Sequence, residues 1–298
     1  MILADCVIFI NMSYTQDITR LHRALFVIAI DQSGSMSEYI DDNITKPIPK
    51  SHIAAMTASM LIDELYYRAK SGFTVKDYYD IIAIGYSNFD IKPLLHHNRF
   101  LIPIYLLNEK EVNTKELVWE RITEDGRHLL FNEYYNEWIK PHAAGTTPMA
   151  EMFTTLNQLV RTWCEDPRNR DSFPPIIFHI TDGRGNVCKD DIIKFAKELQ
   201  QISTTDGHAI LFNIHITSTN TPDNLFFPNP ELITKDHPAA LLADISTILP
   251  ERFHKAIYEH RPQAKPPFLS LCFNATIVDI MSVLNIGSYS AISNTPAL

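Results

Sequence analysis

The sequence is short of the marks of several functional classes. Its four cysteines, Cys6, Cys164, Cys188 and Cys272, are scattered without a C-x-x-C spacing. That sets aside a zinc site and a redox pair, and it fits reduced thiols in a cytoplasm. No apolar run approaches the roughly 18 residues of a membrane span. The opening "MILADCVIFIN" is apolar, but it lacks a basic leader, carries Asp5 and is followed by no small-residue cleavage site. It therefore does not read as an export signal, and Met12 opens a more polar second candidate start. Lysine and arginine number 26 against 35 aspartates and glutamates, for a net charge of -9. No basic cluster is present to track a phosphate backbone, which argues against nucleic acid as a partner. There is likewise no P-loop, G-x-G-x-x-G fingerprint or G-x-S-x-G elbow, and so no motif for nucleotide binding or serine hydrolysis. Internal repeats and low-complexity tracts are also missing.

What is present is enough apolar matter for a full core: 298 residues, 45% of them hydrophobic. Leu25 to Ile30 is a short continuous apolar run, the signature of a strand buried on both faces in a parallel sheet. A helix is expected from Ser51 to Lys70, where Ile53, Met56, Met60, Leu61 and Leu65 recur at spacings of three and four. "DIIAIGYS" (80–87) reads as a second strand, and "FDIKPLLHH" (89–97) as an antiparallel edge strand, where Pro93 is tolerated. Residues 98–144 read as an insertion with one or two helices. Their aromatic residues Trp119, Phe131, Tyr134, Tyr135 and Trp138 fall at helical spacings and are expected to pack as core or flank. Alternation then resumes: helix from Pro148 to Cys164, strand 175–180, helix from Lys189 to Ile202, strand 209–216, and helix from about Ala239 to Tyr258. "HRPQAKPP" (260–267) is a stiff connector leading to one more strand and a short helix. The expected organisation is an arm at 1–23, a domain at 24–260 with an insertion at about 98–144, and an extension at 261–298. The expected fold is α/β and Rossmann-like, a mostly parallel sheet with one antiparallel edge strand and helices on both faces.

Ligands in such sheets sit at the carboxyl ends of strands, and three stretches place oxygen ligands there. In "FVIAIDQSGSMSEYI" the strand ends in Asp31, and Ser33 and Ser35 follow on a turn that Gly34 allows to bend. "HITDGRGN" ends a strand in Asp182, and "AAGTTPMAEMF" sets Thr146 and Thr147 before a helix. A hard cation such as magnesium takes six oxygen ligands and keeps some waters. Simpler readings coexist with this one. Ser33, Ser35 and Ser37 are good turn and cap residues, Thr147 before Pro148 is a good N-cap, and Asp182-Gly183 is an ordinary turn pair. D-x-S-x-S alone arises by chance in on the order of a tenth of chains this long. Its weight comes from the buried strand before it and the two partner loops. His179 and His215, inside apolar strands, read as hydrogen-bonded core imidazoles, while His96 and His97 flank the edge strand.

This combination resembles the metal-ion-dependent adhesion site of von Willebrand factor A (vWA) domains, with D-x-S-x-S, a distant Thr and a distant Asp in that order. The resemblance spans roughly residues 24–258, and "LLADISTILPERF" with "FNATIVDIMSVLNIGS" is similar to the tail of certain bacterial cytosolic members. It implies a metal site of Asp31, Ser33, Ser35, Thr147 (with Thr146 as the rival) and Asp182, holding Mg2+, with Mn2+ or Ca2+ as alternatives. It also implies a cytoplasmic protein-protein interaction module. A partner's Asp or Glu would complete the metal, and the neighbours of such proteins include kinases, PP2C-type phosphatases and ATPases. Phosphorylation-linked signalling or a stress response is the implied setting, with no nucleic acid and no membrane as partner. Two other classes stand against it. A metal-dependent phosphohydrolase of the haloacid-dehalogenase kind wants D-x-D, whereas Ser33 holds the second position and no general base is evident, so no catalytic residue is expected. A secreted adhesin wants an export signal.

Overall fold

The computed structural model describes residues 14–40, 47–95, 98–122, 128–183, 188–217 and 224–292, with backbone only at 117–122, 128–131, 133 and 289–292. Most of the expected arm (1–13, with Cys6), His96 and His97, and the residues just after Gly183 lie outside the described residues.

Ten strands frame the fold: β1 (Ala24–Asp31), β2 (Tyr79–Ser87), β3 (Asp90–Pro93), β4 (Leu101–Pro103), β5 (Thr114–Ile122), β6 (His128–Asn136), β7 (Ile176–Thr181), β8 (Ile210–Ile216), β9 (Leu225–Phe226) and β10 (Leu271–Ala275). Among them run six helices: α1 (Lys50–Ala69), α2 (Met149–Glu165), α3 (Lys189–Gln200), α4 (Ala240–Asp244), α5 (His254–His260) and α6 (Ile277–Ile292). Eight strands form one sheet in the order β9-β10-β8-β7-β1-β2-β3, with β4 also pairing with β2. β1 is parallel to both β2 and β7, β7 to β8, and β8 to β10. All eight residues of β1 and all nine of β2 are buried, which is why these strands read as mostly apolar runs. Phe26, Ile28 and Ile30 face the core under α1 and α6, and Leu25, Val27 and Ala29 face the core under α2 and α3. The sheet is thus covered on both faces, as the Rossmann-like α/β expectation requires. No described helix is long and apolar enough to cross a membrane.

Several expectations need correction. Three antiparallel strands border the sheet where one was expected. β2 is long enough to hold β3 along its carboxyl half and β4 along its amino half, and β9 pairs antiparallel with β10 at the far edge. The segment expected as an insertion forms a hairpin, β5 with β6 in register from Thr114↔Asn136 to Ile122↔His128, and its described residues hold no helix apart from two short 3-10 turns. It is fixed to α1 by Asp63, whose carboxylate accepts hydrogen bonds from Asn136 N, Asn136 Nδ2 and Trp138 Nε1 at 2.7–2.9 Å. Trp138 is buried against Tyr66, whereas Tyr134 is exposed. The helix expected over Ala239 to Tyr258 is broken into α4 and α5. Between them Thr247 leaves the helical path to hydrogen-bond Leu211 and Ser270, binding the segment to the sheet. β10 lies inside the sheet between β8 and β9, and α6 opens with a reciprocal cap. Asp279 accepts from Thr276 N and Oγ1, and Thr276 Oγ1 accepts from Asp279 N.

Candidate functional site

β1 has β2 on one side and β7 on the other, so the chain's crossovers diverge there. The crevice at the carboxyl ends of β1 and β7 is the switch point where open α/β sheets bind ligands. Asp31 ends β1 with no solvent exposure. One carboxylate oxygen accepts from Ser33 N at 2.9 Å and the other from Thr181 Oγ1 at 2.8 Å. Burial pushes its pKa up to about 6, against the pull of the Ser33 and Thr181 hydrogen bonds and with a smaller upward push from the Asp182 charge. Thr181, which donates to Asp31, immediately precedes Asp182 at the end of the neighbouring strand.

The turn after Asp31 runs through a 3-10 segment from Gly34 to Ser37, and Ser33 precedes it without a side-chain cap bond. Its hydroxyl meets that of Ser35 instead, at 3.2 Å. Only Ser37 does ordinary turn duty, donating from Oγ to Gly34 O at 2.7 Å. The second loop is latched to the first by Gly34 N to Gly145 O (2.9 Å) and Ala144 N to Gln32 O (2.8 Å). It is latched to the β2–β3 turn by Thr146 N to Asn88 Oδ1 (3.1 Å) and Asn88 N to Thr146 O (3.2 Å). Asn88 and Phe89 both have positive φ, the requirement of a two-residue hairpin turn. Thr146 is exposed and Thr147 is buried. The expected N-cap role of Thr147 is not found: α2 starts at Met149, Pro148 holds the cap position with no side-chain cap bond, and the Thr147 hydroxyl hydrogen-bonds no other described residue. On the third loop, Thr181 Oγ1 accepts from Gly183 N at 3.0 Å and His215 Nε2 donates to Asp182 O at 2.9 Å, fixing the turn that carries Asp182.

Sequence reasoning missed Lys50. The first residue of α1, it is 1% exposed, and its ammonium lies 2.8 Å from Glu38 Oε2 and 3.3 Å from Asp182 Oδ2. Nothing in its own sequence neighbourhood marks it for burial, and the short pairing of Tyr39 with Pro49 and Ile40 with Ile48 brings it opposite Glu38. Thr181 was also missed, although a β-branched hydroxyl one residue before Asp182 was visible in "HITDG". Beneath the site runs a buried polar chain. Tyr86 OH donates to His179 Nε2 (2.7 Å), His179 Nδ1 to Asn213 Oδ1 (2.8 Å), Asn213 Nδ2 to Ser246 Oγ (2.9 Å), and Ser246 Oγ to Leu242 O (2.7 Å). Burial pushes the His179 pKa down to about 4, so the ring is neutral, as the reading of a core imidazole requires.

The donors suit a hard cation: two carboxylates, three hydroxyls, and no imidazole or thiolate among them. Among the described residues no cluster of three or more His, Cys, Asp or Glu side chains forms a metal site. A cation here therefore depends on the hydroxyls.

No known family profile matches the chain, and no curated protein does. Among solved structures it is similar to an aerotolerance-related membrane protein from Bacteroides fragilis NCTC 9343 with multiple mutations to serines. That match has 10% identity and a TM-score of 0.30, over 89% of this chain and 88% of that one. So low a score carries no argument, and the fold rests on the sheet described above.

Proposed function

We propose that the chain is a divalent-metal-dependent protein-interaction module of the vWA kind, working in the cytoplasm of a bacterium, in a phosphorylation-linked signalling or stress system. Asp31, Ser33, Ser35, Thr147 and Asp182 hold the ion, magnesium by preference, and an Asp or Glu of a partner protein completes its shell. The observation that carries this reading is the uncapped pair of Ser33 and Ser35 hydroxyls at 3.2 Å, next to a carboxylate buried at the end of the central strand. Oxygen atoms placed there and left out of capping are poorly explained by turn formation. The burial of Thr147, whose hydroxyl bonds no other described residue, favours it over the exposed Thr146 as the threonine ligand.

An ion held largely by neutral hydroxyls keeps residual positive charge and attracts an outside carboxylate. The rim supports an interface. Phe89 and Tyr39, each next in sequence to a residue of the site's hydrogen-bond frame, are 71% and 60% exposed, and aromatics are enriched at interface hot spots. Binding rather than turnover follows from the lack of a second carboxylate at position 33 and of an evident general base. The partner's class, whether kinase, phosphatase or ATPase, follows from the resemblance alone.

The test is calorimetric titration of magnesium into wild type and the D31A/S33A double variant, with partner capture from the native host with and without chelator. Saturable binding and chelator-sensitive capture in the wild type alone are expected. Identical behaviour of the two proteins would remove the reading.

A further inference from the structure

A lysine is seldom buried without a task, because taking an ammonium from water costs several kcal/mol unless partners repay it. Lys50 is buried between two carboxylates that differ in kind. The Glu38 side chain is 37% exposed and Asp182 only 1%. Its backbone is held as well, since Lys50 N donates to Glu38 O at 2.9 Å, so the pair is positioned by main chain before the side chains meet. Asp182 follows Thr181, whose hydroxyl donates to the Asp31 carboxylate at 2.8 Å, so the two carboxylates sit on adjoining strand ends, and the Lys50 ammonium lies 3.3 Å from Asp182 Oδ2. It contacts the same carboxylate that the proposed ion requires.

We propose that Lys50 is the resident counter-cation of the site: its ammonium and a divalent ion compete for Asp182, and Glu38 is the second carboxylate that keeps the ammonium paired once Asp182 turns to the ion. Lys50 thereby sets the metal affinity, and it holds the Asp182 loop in place in the metal-free protein. The inference rests on the metal-site reading above. It goes beyond that reading by assigning roles to two residues outside the ligand set. Competition at one carboxylate follows from Coulomb's law, since a unit positive charge a few ångströms from an incoming cation raises its energy even at an effective dielectric of about 20.

Calorimetric titration of Mg2+ and Mn2+ into full-length wild type, K50Q, E38Q and E38Q/K50Q tests it. K50Q is expected to bind tenfold or more tightly than wild type. E38Q is expected to bind several-fold more weakly, because its ammonium has Asp182 alone. In the K50Q background the E38Q effect should shrink below twofold, the coupling that a double-mutant cycle isolates. Equal affinities in wild type and K50Q overturn it and leave the metal site standing, whereas no binding by any of the four proteins removes the metal site and this inference together. Should K50Q fail to fold, E38Q alone decides at moderate salt, where loss of a half-exposed charge by itself has little effect. A several-fold loss supports the proposal and unchanged affinity overturns it.

Discussion

A Cβ placed on Gly145 would lie 1.7 Å from Asn88 Oδ1, and the residue's φ is +77°. Gly72 has a similar φ of +61° but nothing within 4 Å of its missing Cβ. The two glycines separate backbone strain from steric conflict. Gly72→Ala should cost about 1–2 kcal/mol for the left-handed conformation. Gly145→Ala should cost at least ~1 kcal/mol more, because Asn88 must abandon Thr146 N and leave a latch of the second loop unmade. Urea denaturation of the two variants checks this, and equal losses would mean the latch is not part of the fold's stability. At this scale the candidate ligands were legible because each is a chemically marked residue beside a recognisable strand end. Lys50 and Glu38 were not legible. They are twelve positions apart, and nothing in a charged residue's own neighbourhood announces that it will be buried against Asp182.

The central strands were legible for a physical reason: burial on both faces makes β1, β2, β7 and β8 predominantly apolar, with few polar residues among six to nine. The β5–β6 hairpin was misread because Phe131, Tyr134, Tyr135 and Trp138 satisfy a helical spacing, while the Asp125-Gly126 pair, a hairpin turn signal, was passed over. The segment after 260 looked like an extension because a stiff connector precedes it, yet β10 is hydrogen-bonded on both sides, to β8 and β9. α6 lies directly on the sheet, where a Cβ on Gly287 would meet the Phe178 ring at 2.6 Å. Ile280, Val283, Leu284 and Ile286 are buried there, each worth roughly 1.5–3 kcal/mol of transfer. A chain ending at residue 260 is therefore expected to lose cooperative unfolding and expose the Phe178 and Phe212 face, read as dye binding and a broad thermal transition. A sharp transition near that of the full chain would show that β10 and α6 are dispensable.

For the whole molecule, two buried groups pull the pH dependence of stability in opposite directions. The Asp31 carboxyl is raised from 3.8 to about 6, so the folded state holds that proton more tightly than the unfolded chain does, and stability rises as pH falls from about 6 towards 3.8. The His179 ring is lowered from 6.5 to about 4. The unfolded chain therefore takes up its proton first, and stability falls as pH drops from 6.5 towards 4. Each shift is worth roughly 3 kcal/mol across its window, so the two nearly cancel. His215, also lowered from 6.5 to about 4 by burial, has no opposing partner and tips the balance toward a net loss of stability in acid. Asp31→Asn removes one side of this opposition, since the amide cannot titrate. In chelator-treated protein, wild type should lose on the order of 3 kcal/mol between pH ~6.5 and ~4, and D31N on the order of 3 kcal/mol more. The two curves should converge in acid, with D31N the more stable near neutrality. Denaturation midpoints across that range read this directly. Parallel curves would mean that Asp31 carries no desolvation cost at the end of β1, and that the site is more open to water than its burial indicates.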